Sequence, residues 1–208
     1  MIYLILDTCT WLNLLDDSNK RDNPIDSIEL WVENENIKLL APEILLKEWE
    51  NNLARNTDRL KKEWDGFEEK AIALFGKDYV KEKINSDVID YFIDKQLKRA
   101  EALLKNCSTK IPISDIQRIE ATHLAFEKKR PFHKDKSSMA DALIFLSMRD
   151  YIRNYSLKEC YFITDNYDDF SVSKQDKHNI HPDFAQTFSD LGITYCYKLE
   201  WIINIARI

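Results

Sequence analysis

Apolar residues follow two distinct patterns along the chain. The first is the continuous run. Ile2 to Leu6 is apolar throughout and stops at Asp7, which suits a strand buried on both faces of a parallel sheet. Ile37 to Ala41, residues 159–164 within KECYFITD, and Ile193 to Tyr197 read the same way. The second pattern is helical spacing. It covers Trp11, Leu12, Leu14 and Leu15, then Ile25, Ile28, Leu30, Trp31 and Val32 after Pro24, which opens a helix. Pro42 starts another, EILLKEWENNL, which runs on towards Phe75. Val80, Ile84, Val88 and Tyr91 predict an amphipathic helix over about 77–105. Ile116, Ile119, His123 and Phe126 predict a shorter one, with His123 a packed core histidine. SSMADALIFLSMRDYI is a very apolar helix, and Leu199 to Ile205 a closing one. The order of elements predicts an α/β fold, a mostly parallel sheet with helices on both faces. It is a single domain over 1–208, carrying an all-helical insertion from about 55 to 130.

Composition narrows the chemistry. The 208 residues are 44% apolar and 32% charged, the balance of a globular protein. No stretch approaches the ~20 apolar residues of a membrane span. Three glycines are too few and too scattered for a phosphate-cradling loop or a GxGxxG dinucleotide site. Four cysteines never form CxxC. With no basic n-region or cleavage site at the N-terminus, reduced thiols and a cytoplasmic location are expected. His178 and His181 have no cysteine pair beside them and do not make a zinc site. The net charge is −6, unevenly spread: residues 55–136 hold 19 basic and 15 acidic side chains, the flanks 11 and 21.

The informative pattern is where carboxylates meet apolar segments. Asp7 and Asp165 each directly follow a predicted strand. In open parallel sheets, ligands bind outside the carboxyl ends of the strands. Glu48 sits at the edge of a packed helical stripe, and Asp141 is the lone acid of a very apolar helix. Each has a structural reading too. Asp7 can cap the helix after it, Ser138 and Asp141 fit a capping box, Asp165 suits a turn, and Glu48 a helix surface. Taken together, in a fold order that brings them to one crevice, clustered carboxylates call for a cation, Mg²⁺ or Mn²⁺. Such an ion suits phosphodiester hydrolysis.

At these residues the chain resembles a known family. DTCTWLNL at 7–14, PEILLKEW at 42–49, SMADALIF at 138–145 and FITDNYDDF at 162–170 are similar to the four signature segments of the PIN-domain nucleases, in a larger branch with a helical insertion. The resemblance implies a three-layer α/β/α Rossmann-like sandwich and a metal-dependent endoribonuclease acting on RNA. It implies catalytic, metal-binding roles for Asp7, Glu48, Asp141 and Asp165, with Asp169 a further ligand candidate, and supporting roles for Thr8, Thr164 and Asn166. Cys9 departs from the family, where that position is commonly Asn or Ser. The superfamily includes toxin ribonucleases, so a toxin or defence role, an antitoxin-like protein partner and a homodimer belong to the same expectation.

An acidic crevice repels phosphates, so a nuclease of this charge needs a local positive surface. The loop KKRPFHKDK offers one: Lys128, Lys129, Arg130, Lys134 and Lys136 for the backbone, and Phe132 for base stacking. A dehalogenase-type phosphatase needs a second acid at Cys9, and a receiver domain a strand-end Lys; neither is present. The rival reading is a catalytically silent PIN-like module that binds nucleic acid or acts as a scaffold.

Overall fold

The computed structural model describes residues 1–16, 23–83, 86–133 and 138–199. The elements run β1 (Ile2–Leu6), α1 (Thr8–Asp16), α2 (Pro24–Glu33), β2 (Ile37–Pro42), α3 (Glu43–Phe75), α4 (Lys77–Lys83), α5 (Ser86–Asn106), β3 (Ser108–Ile111), α6 (Asp115–Phe126), α7 (Met139–Tyr155), β4 (Cys160–Ile163), α8 (Tyr167–Phe170), α9 (Pro182–Leu191) and β5 (Ile193–Cys196).

The five strands form one all-parallel sheet in the order β3-β2-β1-β4-β5. The continuous apolar run of β1 lies at its centre, with Leu4, Ile5 and Leu6 buried beside Phe162 and Ile163 of β4. Helices cover the sheet in an α/β/α arrangement. α2 and α5 pack on β2 and on each other, joined by Arg99, which donates Nε to Glu29 at 2.9 Å and reaches Asp26. α7 packs between α6 and α9, and its Ala142–Met148 stretch is buried throughout. Cys160 and Cys196 are buried small hydrophobes, as expected of thiols in strands. Among the described residues, no helix is long and apolar enough to cross a membrane.

Three expectations need correction. The middle segment is not helical throughout, because Ser108–Ile111 returns to the sheet as its edge strand beside β2. Edge strands are short and polar, and this one has a single buried residue, Ile111, so no apolar run announces it. The 77–105 segment is two helices rather than one. Val80 is buried at 1% and Tyr91 exposed, while Ile84 and the side chain of Val88 lie outside the described residues. On α6 the apolar stripe faces outward: Ile116, Ile119 and Phe126 are 73%, 58% and 82% exposed, and His123 is exposed rather than a core histidine. The buried face is Gln117 and Ala121. Its partners decide this. Arg149 of α7 holds Glu120 in a two-pronged pair at 2.5 and 2.7 Å, and Gln117 donates to Asp150 at 2.9 Å. Charge-assisted bonds of this kind turn the polar side of α6 inward. The predicted closing helix at 199–205 lies outside the described residues except for Leu199.

Candidate active site

β1 and β4 are neighbours at the point where the chain changes direction across the sheet, β2 and β3 lying to one side and β5 to the other. A crevice outside the strand ends is expected there. Sheet hydrogen bonding continues one residue past each strand: Asp7 N–H donates to Ile163 at 2.9 Å and Thr164 N–H to Cys196 at 3.0 Å. This fixes the backbone of both motifs at the lip of the sheet.

Asp7 is 3% exposed and stands immediately before α1. One carboxylate oxygen accepts the N–H of the adjacent Thr8 at 2.7 Å, which orients the carboxyl at the start of α1 without reaching the second or third residue of the helix as a cap would. The other accepts the Thr164 hydroxyl at 2.7 Å and the Cys9 thiol at 3.1 Å. Thr8 turns its own hydroxyl to Glu48 Oε2 at 2.7 Å, which ties the start of α3 to the end of β1. On the other side, Thr164 accepts the Asn166 N–H at 2.9 Å. The Asn166 side-chain amide then donates to Asp141 at 3.1 Å and to Asp169 at 2.7 Å. A continuous relay of donors thus links Glu48, Asp7, Asp141 and Asp169.

Ser138 makes no side-chain cap bond on α7, so Asp141 has no capping box to serve. Asp169 is fully buried on the one-turn helix α8. Asp165 follows Thr164 directly at the end of β4. Its N–H donates to the Thr10 hydroxyl at 3.1 Å, and its charge acts on Cys9 and Tyr195. Thr10 and Cys9 are site residues that spacing alone did not single out. The signal was present in DTCT, where the Cys9 thiol reaches Asp7 at the end of β1 and the Thr10 hydroxyl the carbonyl of Ile163 at the end of β4. Cys9 supplies the donor that Asn or Ser would give at its position.

The electrostatics follow from this crowding. Burial pushes the Asp7 carboxyl above its ordinary range, and the charge of Asp169 adds to the effect, against the lowering bonds from Thr164, Cys9 and Thr8. Burial likewise raises Glu48, with Asp7 adding to it and Thr8 opposing. Burial, then Asp7, holds the Cys9 thiol well above its usual range, so it is a neutral donor.

The basic loop after α6 touches the same region. Arg130 donates its N–H to Asp183 at 3.0 Å and its guanidinium to the Asp168 carbonyl of α8 at 2.5 Å. Lys128 is exposed, and Lys129 pairs with Glu127 at 2.6 Å. Phe132 is half-buried and packs against the core. Lys134 and Lys136 lie outside the described residues. His181 accepts the Asp183 N–H as the cap of α9, and His178 packs edge-on against Tyr197.

Among the described residues no three acids, histidines or cysteines stand close enough to form a ready-made metal cage. The carboxylates are spaced by the hydroxyls of Thr8 and Thr164 and by the Asn166 amide. That donor set of hard oxygens fits a divalent ion held by one or two carboxylates that keeps several of its waters, the habit of Mg²⁺.

The PIN-domain family model matches residues 4–170 of the chain. PIN domains are generally nucleases that bind nucleic acids and use divalent metals. No curated protein and no solved structure matches the chain.

Proposed function

The chain belongs to the PIN-domain family, and on that premise we propose that it is a Mg²⁺- or Mn²⁺-dependent endoribonuclease. The observation that carries this reading is the relay Glu48–Thr8–Asp7–Thr164–Asn166–Asp141/Asp169, which gathers four carboxylates outside the ends of β1 and β4. Asp7 and Asp169, whose charges already oppose each other, are the pair that would hold the ion directly. When bound, it supplies Lewis acidity for activating water and for offsetting charge on the leaving oxygen. Glu48, half-buried and oriented by Thr8, accepts the proton of the attacking water. Asp141, oriented by Asn166, anchors that water from the other side. Asp165, one step aside, belongs to the rim of the site, with its backbone supporting Thr10. Arg130, fixed to α8, contacts the substrate backbone together with Lys128. In each turnover, water oxygen adds to phosphorus, one ester P–O bond breaks, and the leaving oxygen takes up a proton.

A cytoplasmic toxin or defence role with an antitoxin-like partner belongs to the same reading. Growth arrest on expression, relieved by a neighbouring gene product, tests it. The enzymatic reading is tested by incubating purified protein with single-stranded and structured RNA, and with DNA, in Mg²⁺ and Mn²⁺. Metal-dependent RNA cleavage that Asp141→Asn abolishes supports it. A folded wild-type protein that cuts neither substrate with either metal overturns it in favour of the silent binding module.

A further inference from the structure

Five of the seven described arginines are paired with carboxylates: Arg59 with Glu63, Arg99 with Glu29, Arg118 with Asp115, Arg149 with Glu120 and Arg153 with Asp150. Arg55 and Arg130 are the exceptions among the described residues. Arg130 reaches a backbone carbonyl of α8. Arg55 reaches the side-chain oxygen of Asn52 at 2.5 Å, and the Asn52 amide in turn donates to the Glu48 carbonyl at 2.8 Å. Arg55 therefore sits on an element that carries an acid of the candidate site, and Arg130, in the loop after α6, is bonded to another. They lie to either side of it, since α3 leaves β2 and α8 follows β4, with β1 between those strands.

Helix geometry places Arg55 in line with Glu48. Seven residues are close to two turns, so Arg55 stands over the same face of α3, about 10 Å further along its axis. Arg59 and Lys62 continue that face, about 6 Å and then about 4.5 Å further on, over an open patch of the surface of α3. Asp58 and Glu63 also border this patch, so bulk charge is not the argument. The argument is orientation. A guanidinium held by a neutral amide is fixed in place yet keeps its full charge, and its planar fork matches a phosphate.

We propose that Arg55, positioned by Asn52, is a phosphate-binding residue that takes the single-stranded substrate as it leaves the acid crevice, on the side opposite Arg130. This rests on the nuclease reading above and names the substrate form it takes: an unpaired strand whose backbone follows α3.

The test uses the full chain carrying Asp141→Asn, so that RNA binds without being cut. Binding of a single-stranded RNA oligonucleotide is measured across a salt series by fluorescence anisotropy. Arg55→Ala should weaken binding about fivefold and lower the slope of log affinity against log salt by about 0.7, the loss of one single-strand phosphate contact. Arg55→Lys should recover part of the affinity and all of the slope. Arg118→Ala, which removes an arginine paired on the outer face of α6, should change neither. An Arg55→Ala protein with normal melting, unchanged affinity and unchanged slope overturns the proposal while leaving the nuclease reading standing. Failure of the Asp141→Asn protein itself to bind RNA at low salt overturns both.

Discussion

The hydroxyl of Thr8 donates to Glu48 at 2.7 Å and so ties α3 to the start of α1. The Thr8 backbone N–H holds Asp7 at the same time, so a single residue orients both acids. Thr8→Val keeps the shape and removes the hydroxyl. Nuclease activity should fall by at least tenfold with little change in melting temperature, as expected for loss of an orienting bond. Steady-state cleavage rates and thermal melts of the same preparations check it.

Asp7 gives a pH signature. Its folded pKa is raised, chiefly by burial, so the native state holds a proton that the unfolded chain has already lost. Stability therefore falls as pH rises through the window above the unfolded carboxylate value, about 3.9. In metal-free protein, Asp7→Asn removes that penalty. The melting temperature of Asp7→Asn minus that of wild type should be near zero at about pH 4 and grow steadily more positive as pH rises above it. Added Mn²⁺ should raise wild type and leave Asp7→Asn unmoved.

Asn166 touches Asp141 and Asp169 with one amide. Asn166→Asp replaces that donor with a third negative charge. Activity should be lost and metal-free stability reduced, with partial recovery of stability as Mg²⁺ is raised. Differential scanning fluorimetry across a Mg²⁺ series reads both effects.

The thiols should separate by reactivity. Burial holds Cys9 well above its ordinary range and puts Cys160 and Cys196 at about 11, whereas Cys107 is exposed. Only the thiolate is nucleophilic. Alkylation at pH 8 should label Cys107 first and the other three many times more slowly, as mass spectrometry of a time course would show. Fast labelling of Cys9 would mean that its contact with Asp7 is not maintained.

Arg149 couples α7 to α6 through Glu120, and also holds Asp150, which accepts from Gln117 of α6. Its side chain is 15% exposed and that of Glu120 is 37% exposed, so the pair lies between the surface and buried limits. Arg149→Leu should cost about 2 kcal/mol, a melting drop of roughly 4–8 °C for a chain of this size. Urea unfolding of the variant checks the figure.

The strands that hold the site were legible because their runs are apolar on both faces, and the acids because each interrupts or ends such a run. Sequence reasoning went wrong where tertiary bonds overruled local pattern. Ile116, Ile119 and Phe126 form a good stripe, yet the bonds of Gln117 and Glu120 to α7 set which side of α6 is buried. β3 gave no signal because an edge strand needs neither length nor apolarity. The hydrogen bond that brings Asp169 to Asn166 was not readable either, since it depends on the one turn of helix α8 that follows Asn166.

The edge strand has one more consequence. The long middle segment leaves the sheet along α3 and comes back into it as β3, and on the way the end of α5 places Ala100, Leu103 and Leu104 in the main core. It is not a module that can be cut away at its two ends. Excision from 55 to 130 would strip β2 of its neighbour and open the core, whatever its effect on catalysis. A place more tolerant of change is the end of α3 at Gly76, a residue with φ of 86° where an added Cβ would meet nothing. Arms of different reach can be built there by adding or removing helical turns, while the crevice thirty residues back stays as it is.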